Sequence, residues 1–148
     1  MRTRTLVSVG LIAAVAVGSA TPSLAVGKAK SKPKPITMTY TASAYPDPTS
    51  TNPATKGVCT PTLPTAIDKH AFTVPAAGTL EVKLGNKLDW SLAVREGADT
   101  LATSDGSGSP ADPESTIVSF KKKTTISIDS CNNEGEPSIP VTVTFTYK

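Results

Sequence analysis

His70 is the only histidine in this 148-residue chain, and that limits the acid–base and metal chemistry open to the protein. A single histidine removes every site built on two or more histidines, and with them the usual catalytic zinc sets. Asp68 is close in sequence, but no serine stands in a Gly-x-Ser-x-Gly turn that would present it as a nucleophile. We therefore interpret His70 as a surface histidine beside a strand and expect no catalysis through it.

Three acidic residues around one glycine- and proline-rich loop form a candidate metal site: Asp105, Asp112 and Glu114. Oxygen ligands on a loop suit Ca²⁺, which takes about six to eight of them. Their spacing is not that of an EF-hand, and loop acids are usually only solvated, so both interpretations stay open. The same carboxylates carry a weaker hypothesis of a secreted enzyme, although nothing indicates the sugar cleft that a glycosidase would need. Calcium is the single cofactor that the sequence suggests.

Cys59 and Cys131 are the two cysteines of the chain, 131 − 59 = 72 residues apart. An even number of cysteines in an exported chain favours a bridge, so we predict a Cys59–Cys131 disulfide. Closing a loop of this length stabilises a fold by roughly 4 kcal/mol on the chain-entropy model. The pair has no Cys-x-x-Cys spacing, which argues against a redox function.

Trp90 is the only tryptophan, and it alternates with Leu92 and Val94 along a predicted strand. This pattern indicates a core residue, with sugar stacking as the alternative. The lysine run at 121–123 is typical of a solvated turn, and no interleaved aromatic residues indicate nucleic-acid binding. No residue can be named from the sequence as part of a binding surface.

The first 25 residues have the composition of a signal peptide. Arg2 and Arg4 precede an apolar stretch at 6–17, and Ser23 and Ala25 form a small-residue cleavage site. The apolar stretch is shorter than the roughly 20 residues of a membrane-spanning helix, so no stable membrane anchor is expected. We predict a secreted, extracellular protein.

Residues 26–35 are rich in lysine and proline and show no apolar periodicity, which predicts a disordered N-terminal tail. The tail is either a solubilising spacer or a segment weakly attracted to anionic cell-surface polymer. From residue 35 onward there are 9 basic and 12 acidic residues, a net charge of 9 − 12 = −3, against +3 for the whole chain. The basic character therefore belongs to the leader and the tail.

Residues 36–148 alternate apolar and polar residues in short runs that are separated by turn residues. The alternation predicts strands at 36–43, 71–74, 79–84, 90–96, 100–104, 115–120, 124–130 and 141–147. No segment after residue 25 has the apolar spacing of a helix. Six to eight short strands of this kind predict one all-β domain, an antiparallel β-sandwich or jelly-roll-like fold with one disulfide.

Four segments in the middle of the chain follow one another in the order seen in a bacterial family: 72–84, 89–94, 101–106 and 114–120. They comprise an apolar strand after a glycine turn, an acidic-aromatic strand, a Leu-Ala-Thr-Ser-Asp strand and a strand led by Glu114. In this respect the chain resembles the bacterial pre-peptidase C-terminal domain, a secreted jelly-roll-like sandwich. The resemblance implies a non-catalytic accessory or binding module, sometimes assisted by calcium.

These observations favour a non-catalytic secreted module that recognises an extracellular protein or polysaccharide. The alternative is a secreted enzyme inhibitor or an accessory partner of a hydrolase, in which the long loop at 45–64, tied down at Cys59, would act. The carboxylate-based enzyme is the weakest of the three hypotheses.

Overall fold

The computed structural model of the chain describes residues 31–47, 59–85, 89–105 and 113–148. The predicted signal peptide at 1–25 lies outside these ranges, as do residues 26–30 of the predicted tail. Residues 31–35 are exposed and have no regular secondary structure. The compact unit Lys32–Lys148 contains all the strands. No helix in the described ranges is long and apolar enough to cross a membrane.

The described residues form eight strands, at the upper end of the predicted number. A 3₁₀ turn at Pro64–Ala66 precedes the second strand. The strands are β1 Ile36–Ser43, β2 Ile67–Val74, β3 Gly78–Leu84, β4 Trp90–Glu96, β5 Asp99–Ser104, β6 Ser115–Phe120, β7 Thr124–Asn132 and β8 Ser138–Tyr147.

The strands form two four-stranded antiparallel sheets. Sheet A has the order β1-β8-β3-β6, and sheet B has the order β2-β7-β4-β5. Across the two sheets β1 pairs with β8, β2 with β7, β3 with β6 and β4 with β5. The chain is therefore one long antiparallel ribbon folded over into two layers, which is a jelly roll. The all-β sandwich predicted from the sequence is confirmed.

The core lies between the two sheets and is built from the apolar residues of the period-two pattern. Its largest fully buried side chains include Trp90, Phe145, Leu80, Leu92 and Ile128. Gly78 lies in a close approach within sheet A, because a Cβ there would lie 2.3 Å from the carbonyl oxygen of Thr146. It would also lie 2.4 Å from a ring carbon of Phe145, so this position admits only glycine.

Three strands are longer than the alternation predicts by two residues or more. The strand β2 begins at Ile67 rather than Ala71, β7 continues to Asn132, and β8 begins at Ser138 rather than Val141. The extra residues of β2 are mostly polar and therefore carry no apolar alternation, yet Asp68 and Lys69 pair with Ser130 and Asp129 of β7. Tertiary pairing thus extends strands beyond the limits of the local pattern.

The two ends of the sandwich differ in their connections. We call one end the long-loop end. The strands β1, β3, β5 and β7 end there, and the described residues that begin and close the connections 44–66, 85–89, 105–114 and 133–137 lie there as well. We call the other end the short-turn end. It contains the turns 75–77, 97–98 and 121–123, the start of β1 and the end of β8. Pairing of Ser43 with Ser138 and of Trp90 with Asn132 marks the first end, and pairing of Gly78 with Phe120 marks the second.

Candidate functional site

The predicted disulfide is confirmed, and it lies on the outer face of sheet B. The two sulfur atoms of Cys59 and Cys131 are bonded, and the Cα atoms are 5.5 Å apart. The bridge packs with Ala93 and Ile67 in a small cluster separate from the main core. It therefore ties the segment that begins at Cys59 across the outside of the sheet. A disulfide of this kind is characteristic of proteins that fold in an oxidising compartment outside the cytosol.

A buried ion pair lies next to the bridge on the same face. Arg95 donates a hydrogen bond from Nε to Oδ2 of Asp129 at 3.0 Å, and the Asp129 side chain is only 2% exposed. The hydroxyl of Ser127 also donates to the Asp129 carboxylate. Arg95 further donates from Nη2 to the Cys59 carbonyl oxygen at 3.3 Å and from Nη1 to the Thr100 hydroxyl. One guanidinium thus joins β4, β5, β7 and the Cys59 segment.

An open groove runs along this face between segment 59–64 and the β4–β5 turn. Its volume is about 710 Å³, and Ile67, Lys69, Arg95 and Asp129 line it together with the segment. We call it the disulfide groove. Lys69 is exposed and pairs across the strands with Asp129, so the groove presents one basic side chain to solvent beside the buried ion pair.

Buried polar side chains hold the described parts of the connection between β1 and β2, residues 44–47 and 59–66, in place. The Asp47 carboxylate is 1% exposed and accepts hydrogen bonds from the Thr62 backbone N–H and hydroxyl, both at 2.8 Å. The Asn132 side chain is fully buried; its amide nitrogen donates to the Ala44 carbonyl oxygen at 2.8 Å and its oxygen accepts from the Gly135 N–H at 2.6 Å. These bonds fix the backbone on both sides of the predicted loop, of which residues 48–58 lie outside the described ranges.

Tyr45 stands on this fixed backbone and is the most exposed large apolar side chain among the described residues, at 69%. Its N–H donates to the Thr65 carbonyl oxygen at 2.9 Å. A second hollow of about 410 Å³ lies beside Tyr45 and shares Ile67 with the disulfide groove. Tyr45, this hollow and the disulfide groove form one continuous surface, which we call the loop-side surface.

His70 lies away from this surface and faces the opposite sheet. Its ring stacks on Tyr40 of β1, with ring centroids 3.9 Å apart and planes at 16°. The predicted surface placement is therefore wrong, because the strand register turns this half-buried histidine inward with Ile128. The Asp68 carboxylate accepts a hydrogen bond from the Ser43 N–H at 2.9 Å, which is a structural contact between the sheets.

Burial raises the pKa of Tyr40 well above its usual value, while the neighbouring Ser130 hydroxyl opposes part of that shift. The tyrosine therefore stays neutral across the ordinary pH range. Its ring closes the space between the sheets on the β1–β2 side and contributes to packing.

Trp90 is 1% exposed and belongs to the main core, which confirms the core interpretation. A sugar cannot stack on a ring that the protein covers completely, so the alternative role of Trp90 is ruled out.

The predicted calcium ligands are only partly described. Asp112 lies outside the described ranges, so the three carboxylates cannot be compared as a set. Glu114 is 6% exposed and accepts a hydrogen bond from the Ser104 hydroxyl at 2.5 Å, which joins the end of β5 to the start of β6. Within the described ranges no group of three or more His, Cys, Asp or Glu side chains is placed to hold a metal ion. The calcium site stays a prediction.

The sequence alone did not indicate Tyr45, Arg95 and Asp129 as functional residues. Arg95 and Asp129 occupy polar positions of alternating strands, and that pattern normally indicates exposure. A weak signal was present for Tyr45, which follows the end of a strand and precedes a proline in a segment poor in other apolar residues. Only the contacts of segment 59–66 distinguish these three residues from an ordinary solvated face.

Comparison with known proteins adds little. No protein-family model matches the chain, and no curated protein matches its sequence. Among solved structures, the chain is similar to PliG from Aeromonas hydrophila, described as a periplasmic lysozyme inhibitor of g-type lysozyme. The sequences are 13% identical, the match covers 76% of this chain and 83% of that chain, and the TM-score is 0.39. A likeness of this size establishes neither a shared fold nor a shared function.

Proposed function

We propose that this protein is a secreted, non-catalytic binding module that recognises an extracellular protein through its loop-side surface. The observation that carries the proposal is the combination of an exposed aromatic side chain and a groove on a backbone that is already fixed. Tyr45 is 69% exposed, while the chain on either side of it is held by the buried Asp47 and Asn132.

Rigidity of this kind favours binding because little conformational entropy is lost when a partner docks. Tyrosine is enriched at the energetic centres of protein interfaces, since it offers a large apolar ring and a polar hydroxyl at low entropic cost. The disulfide groove supplies concave space beside it, with Lys69 at its rim.

A protein partner is favoured over a polysaccharide. Sugar-binding faces rely on exposed aromatic rings, and in the described part of the chain Trp90, Phe120 and Phe145 are all buried. Tyr147 packs edge-to-face on Phe145, with ring centroids 5.1 Å apart. Tyr45 by itself makes a hot spot for a protein and too small a platform for a sugar chain.

The same geometry supports the second candidate, a secreted enzyme inhibitor or accessory partner of a hydrolase. A loop whose two ends are tied by a disulfide and by the Asp47 hydrogen bonds can be presented to an enzyme without unfolding. The resemblance to the pre-peptidase C-terminal domain forms part of this proposal as well, because it implies a non-catalytic accessory module.

The test uses immobilised protein as bait for the secreted proteins of the producing cell, with cross-linking and identification of what is retained. The affinity of the purified partner is then measured for wild type, Tyr45→Ala and Ile117→Ala. Ile117 is the matched control, because it is 65% exposed but lies on β6 of the other sheet. We expect Tyr45→Ala to weaken binding about 30-fold and Ile117→Ala to leave it unchanged.

Equal binding by Tyr45→Ala and wild type would contradict the proposal, as would specific retention of a polysaccharide instead of a protein. A hydrolytic activity that disappears in His70→Ala would overturn the non-catalytic assignment. If the partner is an enzyme, its activity in the presence of this protein separates inhibition from simple attachment.

A further inference from the structure

Charged residues in the connections between strands are unevenly distributed by sign between the two ends of the sandwich. Asp112, Lys56 and Lys87 of the long-loop-end connections lie outside the described ranges. The described residues of these connections include six acidic ones: Asp47, Asp89, Asp105, Glu114, Glu134 and Glu136. The described connections and chain ends of the short-turn end contain six lysines and no acidic residue: Lys32, Lys34, Lys121, Lys122, Lys123 and Lys148. The net charge of −3 after residue 34 thus conceals a strong asymmetry.

Three separate parts of the chain bring these lysines together. The run at 121–123 is exposed in the β6–β7 turn, and Lys34 is exposed just before β1. Ile36 at the start of β1 pairs with Phe145 of β8, and the Lys148 N–H donates to the Ala77 carbonyl oxygen at 3.2 Å. The sheet register therefore holds the start of β1, the end of β8 and the lysine turn at one end of the domain.

Two acidic residues stand at the strand ends beside this cluster and reduce its charge. Glu96 ends β4 and Asp99 begins β5. The Glu96 carboxylate accepts a hydrogen bond from the Thr124 hydroxyl at 2.5 Å. Six lysines against two side-chain carboxylates leave the side chains of the short-turn end with a surplus of positive charge.

Two hollows flank the lysine turn and give this end a concave shape. One of about 490 Å³ is lined by Phe120, Lys121 and Lys122 together with Leu101 and Ile117. The other, of about 400 Å³, is also lined by Phe120 and Lys121 and extends to Lys148. Lys121 therefore stands on a ridge between two grooves.

We propose that the short-turn end binds a linear polymer of phosphate diesters without bases, of the poly(glycerol phosphate) type, and thereby turns the acidic long-loop end away from the polymer. Lysine supplies compact, mobile positive charges that attract phosphate without the bidentate geometry of arginine. Binding of this kind is driven by release of counterions from the polymer. Grooves on both sides of a lysine ridge fit a chain better than the flat surface of a bilayer. The inference is independent of the partner proposed for the loop-side surface.

The test measures binding of purified protein to a fluorescent synthetic poly(glycerol phosphate) over a series of NaCl concentrations. If all six lysines contact phosphates, the slope of log K against log [NaCl] reaches its upper limit of about −4. The double variant Lys121→Gln/Lys122→Gln removes two of these contacts. We expect its slope to be shallower by about 1.4 and its affinity at low salt to fall about tenfold.

The matched control is Lys69→Gln/Lys83→Gln, which removes the same charge from exposed positions outside the cluster. It is expected to change the affinity less than twofold, and Tyr45→Ala is expected not to change it. Equal loss in both double variants would show that net charge alone acts and would overturn the proposal. Binding that is insensitive to salt, or binding only to phosphatidylglycerol vesicles and not to the polymer, would overturn it as well. Thermal unfolding of each variant checks that the fold is intact.

Discussion

Replacing Arg95 by methionine tests the buried ion pair that organises the disulfide groove. The substitution keeps most of the side-chain volume but removes the 3.0 Å contact between Nε and the Asp129 carboxylate, which is 2% exposed. Removing one partner of a buried pair leaves an uncompensated charge and costs about 3–5 kcal/mol. The hydrogen bonds of Arg95 to the Cys59 carbonyl oxygen and to Thr100 are lost with it.

Urea unfolding at neutral pH under oxidising conditions measures the free energy of unfolding. We expect Arg95→Met to lower it by about 3–5 kcal/mol. Lys69→Met is the matched control, because Lys69 lies in the same groove and opposite Asp129 but is exposed. Its effect should stay within about 0.5 kcal/mol.

A double-mutant cycle separates the pair from the rest of the side chain. The variant Arg95→Met/Asp129→Asn no longer buries a charge, so its loss should be clearly smaller than the sum of the two single losses. If Arg95→Met costs less than about 1 kcal/mol, or no more than Lys69→Met, the pair is not buried as described. In that case the ion pair would not organise the disulfide groove.

Four further results are expected. The double variant Cys59→Ala/Cys131→Ala should lose about 4 kcal/mol in urea unfolding, because the bridge closes a loop with a sequence separation of 72. Gly78→Ala should lower the thermal midpoint sharply, since its Cβ would lie 2.3 Å from a backbone oxygen; an unchanged midpoint would contradict that packing. Stability should fall as the pH rises above 10.0, the ordinary tyrosine pKa, because the raised pKa of Tyr40 keeps the native state protonated after the unfolded chain has lost its proton; Tyr40→Phe should reduce this fall. If the calcium prediction holds, millimolar Ca²⁺ should raise the thermal midpoint above that in EDTA, and Asp112→Ala should abolish the rise; no rise in the wild type removes the site.

The strand pattern shows how much of this fold can be predicted from local sequence. The first and last strands alternate threonine with apolar residues, and both were predicted because each has one face in the core and one in solvent. The pattern fails in β2, because the consecutive residues Asp68 and Lys69 lie on opposite faces of the strand and are both polar. Only the pairing with β7 holds them extended. Strand order also lies beyond the local pattern, because neighbours in a sheet come from distant parts of the chain.

The candidate site depends still more on tertiary contacts. The disulfide could be predicted from the two cysteines of the sequence. The position of segment 59–66 on the outer face of sheet B could not. That cover buries Ala93 and Asp129 at positions where alternation predicts exposure. Conversely, Tyr45 is exposed although it is a large aromatic residue, because the bonds that hold its backbone leave its ring outside the core.

By itself, the amino-acid sequence determined the all-β class, the approximate positions of the strands and the disulfide partners. Each of these follows from short-range alternation or from the number of cysteines. Only the tertiary structure decided which polar residues are buried, where the grooves lie and how the charges divide between the two ends. The physical reason is that these properties depend on residues far apart in the chain, which only the folding of the ribbon into two sheets brings into contact.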